Sequence, residues 1–325
     1  MKIPWRRPPN RVLIPGILSL ALGGLLLGVS DLGTLRSSLM LPFGIVAQLV
    51  ALMIVYLIAK WFVWWRLLVR AGISPPWREA FFAYLGGEMT KSLPGGIYFQ
   101  NYLLTKLSGH EVAVGIATST VLVGMEAAVC MAITLAVGIP AWPWLRGLLA
   151  GIAVAWIVLL LSLWRSRWIE RLTPWAQNHP NIKFGLYLAS SFYRGIVSLW
   201  DPWLWASLIG LTAVYLLASG AQLYLIAHVL GDRALTFGQA QVTNAFSMLL
   251  PLMIPIPIQI GFAETTGAGA LVALGLGIRQ AIALMIAYRL WNNGLVFPLA
   301  IPVMLAMRPE WRRVMAAAGE KEEPC

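Results

Sequence analysis

Apolar residues in this chain run in long, nearly unbroken stretches, with few polar positions between them. Six stretches, 12–29, 43–65, 112–138, 142–164, 203–229 and 281–307, approach or exceed the roughly 20 residues a helix needs to cross a bilayer. A helix that is apolar on every side offers no face to water, so each stretch predicts a transmembrane helix. Trp gathers near their ends, at Trp61, Trp64 and Trp65, at Trp142 and Trp144, at Trp164 and Trp168, and at Trp200, Trp203 and Trp205. This is the pattern of an aromatic belt at the membrane interface.

Two further apolar stretches, 80–107 and about 238–278, are interrupted by Pro and Gly near their middles. Pro removes a backbone donor and Gly permits turns that other residues resist. Unpaired backbone is costly in hydrocarbon, so such breaks occur where protein or a water-filled cavity shields them. Basic residues fix the orientation. Lys2, Arg6, Arg7 and Arg11 precede the first span; Arg66, Arg70 and Arg78 follow the second; Arg165, Arg167, Arg171 and Lys183 follow the fourth; Arg308, Arg312 and Arg313 follow the last. The other connections are poor in Lys and Arg. The positive-inside rule then places both termini in the cytoplasm. Both flanks of 80–107 fall on the cytoplasmic side and both flanks of 238–278 outside, so each broken stretch is predicted to be a re-entrant helical hairpin. Interrupted segments in corresponding positions of two halves point to a transporter site. A kinked pair of ordinary crossings would preserve the same flanks.

The predicted fold is therefore an all-α polytopic membrane protein, with about six full transmembrane helices plus two re-entrant hairpins in pseudo-symmetric halves. Residues 1–307 form a single membrane domain, its halves at about 12–164 and 182–307. Residues 182–200 read as an amphipathic interfacial helix, and 308–325 as a short, disordered cytoplasmic tail. The stretch from Val12 to Val29 reads as a retained helix and not as a cleaved signal.

Composition agrees. Hydrophobic residues make up 59% of the 325 residues and charged residues 11%, against about 25% charged in soluble domains. Mean hydropathy is +0.75. The net charge of +11 sits beside apolar stretches, which the orientation rule explains, and no nucleic-acid-binding motif accompanies it. Cys130 and Cys325 make no disulfide framework, and two Cys with three His do not suggest a structural zinc site. No cofactor is expected.

Ionisable side chains at membrane depth cost at least about 2.5–3.5 kcal/mol each, which makes them functional candidates. Glu126 stands near the middle of its span. Glu264 follows the Pro-rich break of the second hairpin, and Arg289 lies in the last span, where pairing with Glu264 or Glu126 is expected. Glu88 and Lys91 flank the first break at a spacing that also permits a local ion pair. Gln259 and Asn101 are the leading uncharged candidates among several amides, some of which must simply tie helices together. No nucleophile elbow or Walker A loop is present. The loose GGLLLG at 23–28 lies in the first span and more naturally permits helix contact.

The run Pro255-Ile256-Pro257-Ile258-Gln259-Ile260-Gly261-Phe262-Ala263-Glu264 resembles the Pro-x-Pro-Gly-Gly-x-Gly-x-x-Glu motif of the lysylphosphatidylglycerol synthase transmembrane, flippase-like family. Pro255, Pro257, Gly261 and Glu264 match in register, and Ile258 and Gln259 replace the two middle glycines. Downstream, LGLGIRQAIALMIAYRLWN is similar to the family's helix and places Arg289 on its Arg. Leu93-Pro94-Gly95 resembles the first-half break, although the Gly-Glu-x-x-Arg that follows it in the family is missing, and Glu126 looks like the family's acidic residue in the next span. The resemblance covers roughly residues 40–305. It implies a lipid-handling membrane domain. No aminoacyltransferase domain follows, so aminoacyl-lipid synthesis is not expected.

These readings converge on a non-enzymatic translocase of lipid or lipid-linked headgroups in a bacterial plasma membrane. Glu126, Glu264, Arg289, Glu88, Lys91, Gln259 and Asn101 are its candidate site residues. The expected partner is a membrane lipid with a phosphate-containing headgroup, which helix N-termini would favour. A homo-oligomer is compatible with the sequence, and nucleic acid is not expected to bind. The alternatives are a membrane-embedded transferase acting on lipid-linked sugars or phosphates, and a non-transporting envelope scaffold.

Overall fold

The structure is a computed structural model that describes residues 21, 24–91, 99–110, 112–152, 154, 201–230, 235–253 and 261–319. All regular structure among them is α-helical, as the long apolar stretches require. A short helix α1 (Leu32–Leu39) precedes a long one, α2 (Phe43–Arg70). Then come α3 (Trp77–Thr90), α4 (Phe99–Ser108) and α5 (Val112–Val137). The second half holds α6 (Pro202–Leu230), α7 (Phe237–Met253), α8 (Phe262–Ala273), α9 (Ile278–Gly294), α10 (Val296–Ala306) and α11 (Arg308–Gly319).

Among the described residues, Phe43–Arg70, Val114–Val137 and Pro202–Leu230 are long and apolar enough to cross a membrane. Ile278–Ala306 makes a fourth when taken with Arg308–Met315, from which it is bent by 83°. Of the predicted spans 12–29 and 142–164, residues 21, 24–29, 143–152 and 154 are helical, Trp142 precedes its helix, and the rest lies outside the described residues. The predicted interfacial segment 182–200 lies wholly outside them.

Each broken stretch is two short helices. In the first, α3 and α4 pack on one another. Gly87 allows this, since a Cβ there would come within 2.6 Å of Gln100 Cβ. In the second, α7 packs on α8. At 1.5 Å of rise per residue these helices are roughly 15–26 Å long, shorter than the hydrocarbon core. The break residues 92–98 and 254–260 lie outside the described residues. In both pairs the second arm lies on the helix that follows it, α4 on α5 and α8 on α9. The first arm of each also touches a helix of the other half, α3 on α10 and α7 on α5. Helix α6 runs along α2 and joins the halves.

Two expectations need correction. The region after Met307 is not a disordered tail: residues 308–319 form α11, whose buried positions Glu310 and Val314 are four apart and therefore on one face. Helix α11 packs beside α4, and its side chains reach α3. Arg313 bonds Glu79, Arg78 Nε lies 3.8 Å from Glu310, and Trp311 meets the edge of Phe82. The aromatic belt is also incomplete as read. Trp144 and Trp203 are exposed, as a belt requires, but Trp64 is fully buried in the core of α2.

Candidate functional site

The most buried charge in the described residues gathers where α2, α3 and α5 meet α6. Its centre is Lys60, seventeen residues into α2. Lys60 Nζ lies 3.0 Å from Glu88 Oε1 on α3 and 3.1 Å from Glu126 Oε1 on α5. It also donates to Tyr56 OH, one turn back on α2, at 3.1 Å. Three oxygens, two of them carboxylate, thus surround an ammonium that has three N–H donors. Glu88 Oε2 takes a second cation, Lys91 Nζ, at 3.0 Å. Glu126 Oε1 accepts from Tyr215 OH on α6 at 2.9 Å.

Two ammonium groups therefore face two carboxylates, and the cluster is neutral when all four are ionised. Burial of the set is tolerable only in that balance, since an unpaired buried charge costs several kcal/mol. Side-chain exposure is 10% for Lys60, 4% for Glu88 and 3% for Glu126. Lys91, at the end of α3 beside the break, is the most open at 17%. Tyrosine faces complete the enclosure. Lys60 Nζ lies 5.4 Å from the Tyr56 ring and 5.9 Å from the Tyr215 ring, and Lys91 Nζ lies 5.0 Å from Tyr56, all within cation–π range. Tyr84, one turn before Glu88, is fully buried, and its hydroxyl has no hydrogen-bond partner among the described residues.

The second broken pair carries a simpler arrangement. Gly261 starts α8 at φ +87°, a conformation that favours glycine. Three residues on, Glu264 Oε2 accepts from the Gly261 N–H at 2.6 Å, which satisfies one orphan donor of the helix start. Its other oxygen lies 3.5 Å from Arg289 Nε on α9. Arg289 thus pairs with Glu264 and not with Glu126. The contact is ionic only, since Arg289 Nε makes no hydrogen bond. Next to it, Tyr288 OH donates to Asn244 Oδ1 at 2.7 Å and lies 2.6 Å from Ser219 Oγ. Ser219 is one turn beyond Tyr215, so one face of α6 touches the polar groups of both halves.

The sequence profile described as Lysylphosphatidylglycerol synthase TM region matches residues 13–300. The chain belongs to this family. It is accordingly a multi-pass membrane protein whose matched domain includes both broken helix pairs. No curated protein matches the chain.

Within this membrane domain, the structure sorts the sequence-derived candidates. Glu88, Lys91 and Glu126 come together. Glu264 and Arg289 form a separate pair. Asn101 is occupied elsewhere: its Nδ2 and the Nε2 of Gln100 both donate to Ser119 Oγ at 3.0 Å, tying α4 to α5. Gln259 lies outside the described residues. The local Glu88–Lys91 pair does form, yet Glu88 also serves Lys60. Sequence reasoning missed Lys60 itself, and with it Tyr56 and Tyr215. A lone Lys inside LMIVYLIAKWFVWW, one turn after a Tyr, was the available signal.

Proposed function

We propose that the protein moves a membrane lipid, or a lipid-linked headgroup carrying phosphate, across a bacterial plasma membrane without chemically altering it. In this reading both termini are cytoplasmic, six helices cross the bilayer, and the two broken pairs dip in from opposite faces. The observation that carries the reading is the buried Lys60–Glu88–Lys91–Glu126 cluster beside the break of the first pair. A core of this kind adds little to stability over well-packed apolar residues of similar volume. Two ammonium groups beside an unpartnered tyrosine hydroxyl are, however, a fitting receptor for phosphate oxygens. Lys91, the most open of the four, would be the first to meet a headgroup arriving from the break. Glu264 and Arg289 would then line the far part of the path.

The test is reconstitution of the purified protein into liposomes holding a trace of fluorescent phosphatidylglycerol, with leaflet exchange followed by chemical quenching. Exchange several-fold faster than in protein-free vesicles is expected. Exchange equal to protein-free vesicles, for this lipid and for phosphate-bearing lipid-linked sugars alike, would rule the reading out.

A further inference from the structure

We propose that headgroup movement is coupled to a proton carried on Glu126, one proton for each negative charge of cargo. The inference rests on the translocase reading above and concerns its driving force.

It follows from charge balance in the site. Lys60 and Lys91 are matched by Glu88 and Glu126, with no surplus cation among these four groups. A phosphate monoanion bound by the two lysines would leave the site one negative charge in excess. Uncompensated buried charge of that kind is avoided by a change of protonation. Geometry selects the carboxylate that changes. Glu88 is held by both lysines, through both of its oxygens. Among the described residues, Glu126 touches one cation, Lys60, which it shares with Glu88 and Tyr56, and one neutral donor, Tyr215.

Among the described residues, no cation other than Lys60 touches Glu126. On α2 the group facing Glu126 is Lys60, itself bonded to Tyr56, and on α6 it is Tyr215. On α4 the titratable groups are Tyr102, which is exposed, and Lys106, whose Nζ lies 5.8 Å from the Tyr102 ring. Helix α7 has no titratable residue in its sequence, and α5 itself adds only buried Cys130 one turn on. Glu88, Lys91 and Tyr84 of α3 stand behind Lys60. In the step, Lys60 exchanges its Glu126 contact for a phosphate oxygen, and a proton from water goes onto the freed carboxylate. Apart from that O–H bond, made from a hydronium ion on the entry side and given back to water on the far side, no covalent bond forms or breaks, and proton and headgroup leave together.

One proton with one negative charge is electroneutral, which separates this mechanism sharply from simple anion movement. In proteoliposomes with trace fluorescent phosphatidylglycerol, a gradient of one pH unit should shift the steady-state leaflet ratio about tenfold, the equivalent of one coupled proton. The label should accumulate in the leaflet facing the more alkaline side. A potassium diffusion potential at equal pH should not move the ratio. Glu126→Gln, which is permanently neutral, should lose the pH response, and Tyr215→Phe should weaken it. Should Glu126→Gln fail to fold, the wild-type comparison of pH gradient against potential still decides. A ratio that follows the potential and ignores the pH gradient would overturn proton coupling while leaving the translocase reading intact. An absence of leaflet exchange under every condition would remove both.

Discussion

The two broken helix pairs share an order of packing but not a chemistry. At the first, four charged groups and Tyr215 are joined by contacts of 2.9–3.1 Å. At the second, one carboxylate divides itself between a backbone N–H and a guanidinium 3.5 Å away that makes no hydrogen bond through Nε. The first is closed and balanced, so changing any member unbalances three others. The second is looser, and Glu264 has a structural duty at the start of α8 whether or not Arg289 is present. The contrast teaches that similar topology in two halves does not distribute work equally. The charge-dense pair is the place to expect headgroup chemistry, and the other a place to expect gating or support.

The largest effect should come from Lys60→Met. It leaves Glu88 and Glu126 with one cation between them, and breaking a buried ionic network in this way costs on the order of 3–5 kcal/mol. Thermal unfolding in detergent should fall steeply. The double change Lys60→Met with Glu126→Gln should recover much of the loss, because it restores neutrality. A loss that is simply additive would show that the cluster is not coupled.

Arg289→Gln should cost less, about 1 kcal/mol, in keeping with interhelical polar contacts in membranes. Reversing the pair, Arg289→Glu with Glu264→Arg, should recover only part of the loss, since Arg at position 264 cannot accept the Gly261 N–H. Full recovery would show that the cap contributes nothing.

How far the sequence reached explains why these two sites were unequally visible. The helices were legible because 20 or so consecutive apolar residues have few other solutions, and both breaks were legible because Pro and Gly sit inside them. Glu126, Glu264 and Arg289 declared themselves as charges at depth, but only the structure chooses Glu264 over Glu126 as the partner of Arg289. Lys60 did not declare itself. With the second span ending at residue 65, it lies within snorkelling reach of the interface. The helix in fact continues to Arg70, which puts Lys60 about 15 Å from its end at 1.5 Å per residue. The tyrosines were hidden for another reason. An apolar helix with weak periodicity does not reveal which face its Tyr presents, so Tyr56 and Tyr215 looked like any other aromatic residue. Asn101 and Gln100 look alike in sequence whether they bind cargo or a neighbouring hydroxyl, and only the packing of α4 on α5 assigns them to Ser119. Residues 308–319 read as disordered because they open a short terminal segment that is polar at both ends, RPEWRR at its start and GEKEEPC at its close. Their helix is instead held by Arg313–Glu79 and Arg78–Glu310 contacts that join distant parts of the chain.

That clamp gives a smaller effect. Arg313 is more than half exposed, so Arg313→Ala should cost no more than roughly 1 kcal/mol. Its signature is local, as faster amide exchange in α11 with no change in α8 or α9.

The smallest effect concerns Asp31. Hydrogen bonds from the Thr34 hydroxyl and the Gly33 N–H hold its carboxyl below the usual carboxylate range. Its folded value is depressed, so the cap is intact above the unfolded value and is lost as pH falls through the folded one. Amide exchange at Gly33 and Thr34 should rise in that acid window. Asp31→Ala should show the same fast exchange already at neutral pH, and a protected Gly33 in that variant would contradict the cap.

The account turns on whether the lysines of the first pair handle the headgroup. The direct measurement is leaflet exchange of fluorescent phosphatidylglycerol in proteoliposomes carrying Lys91→Gln, compared with wild type and with Arg289→Gln at matched protein content. The prediction is near-complete loss for Lys91→Gln, which is milder for folding than Lys60→Met because Lys60 still touches both carboxylates and Lys91 is the most open of the four, and a partial loss for Arg289→Gln. Wild-type exchange rates in a well-folded Lys91→Gln protein would contradict it.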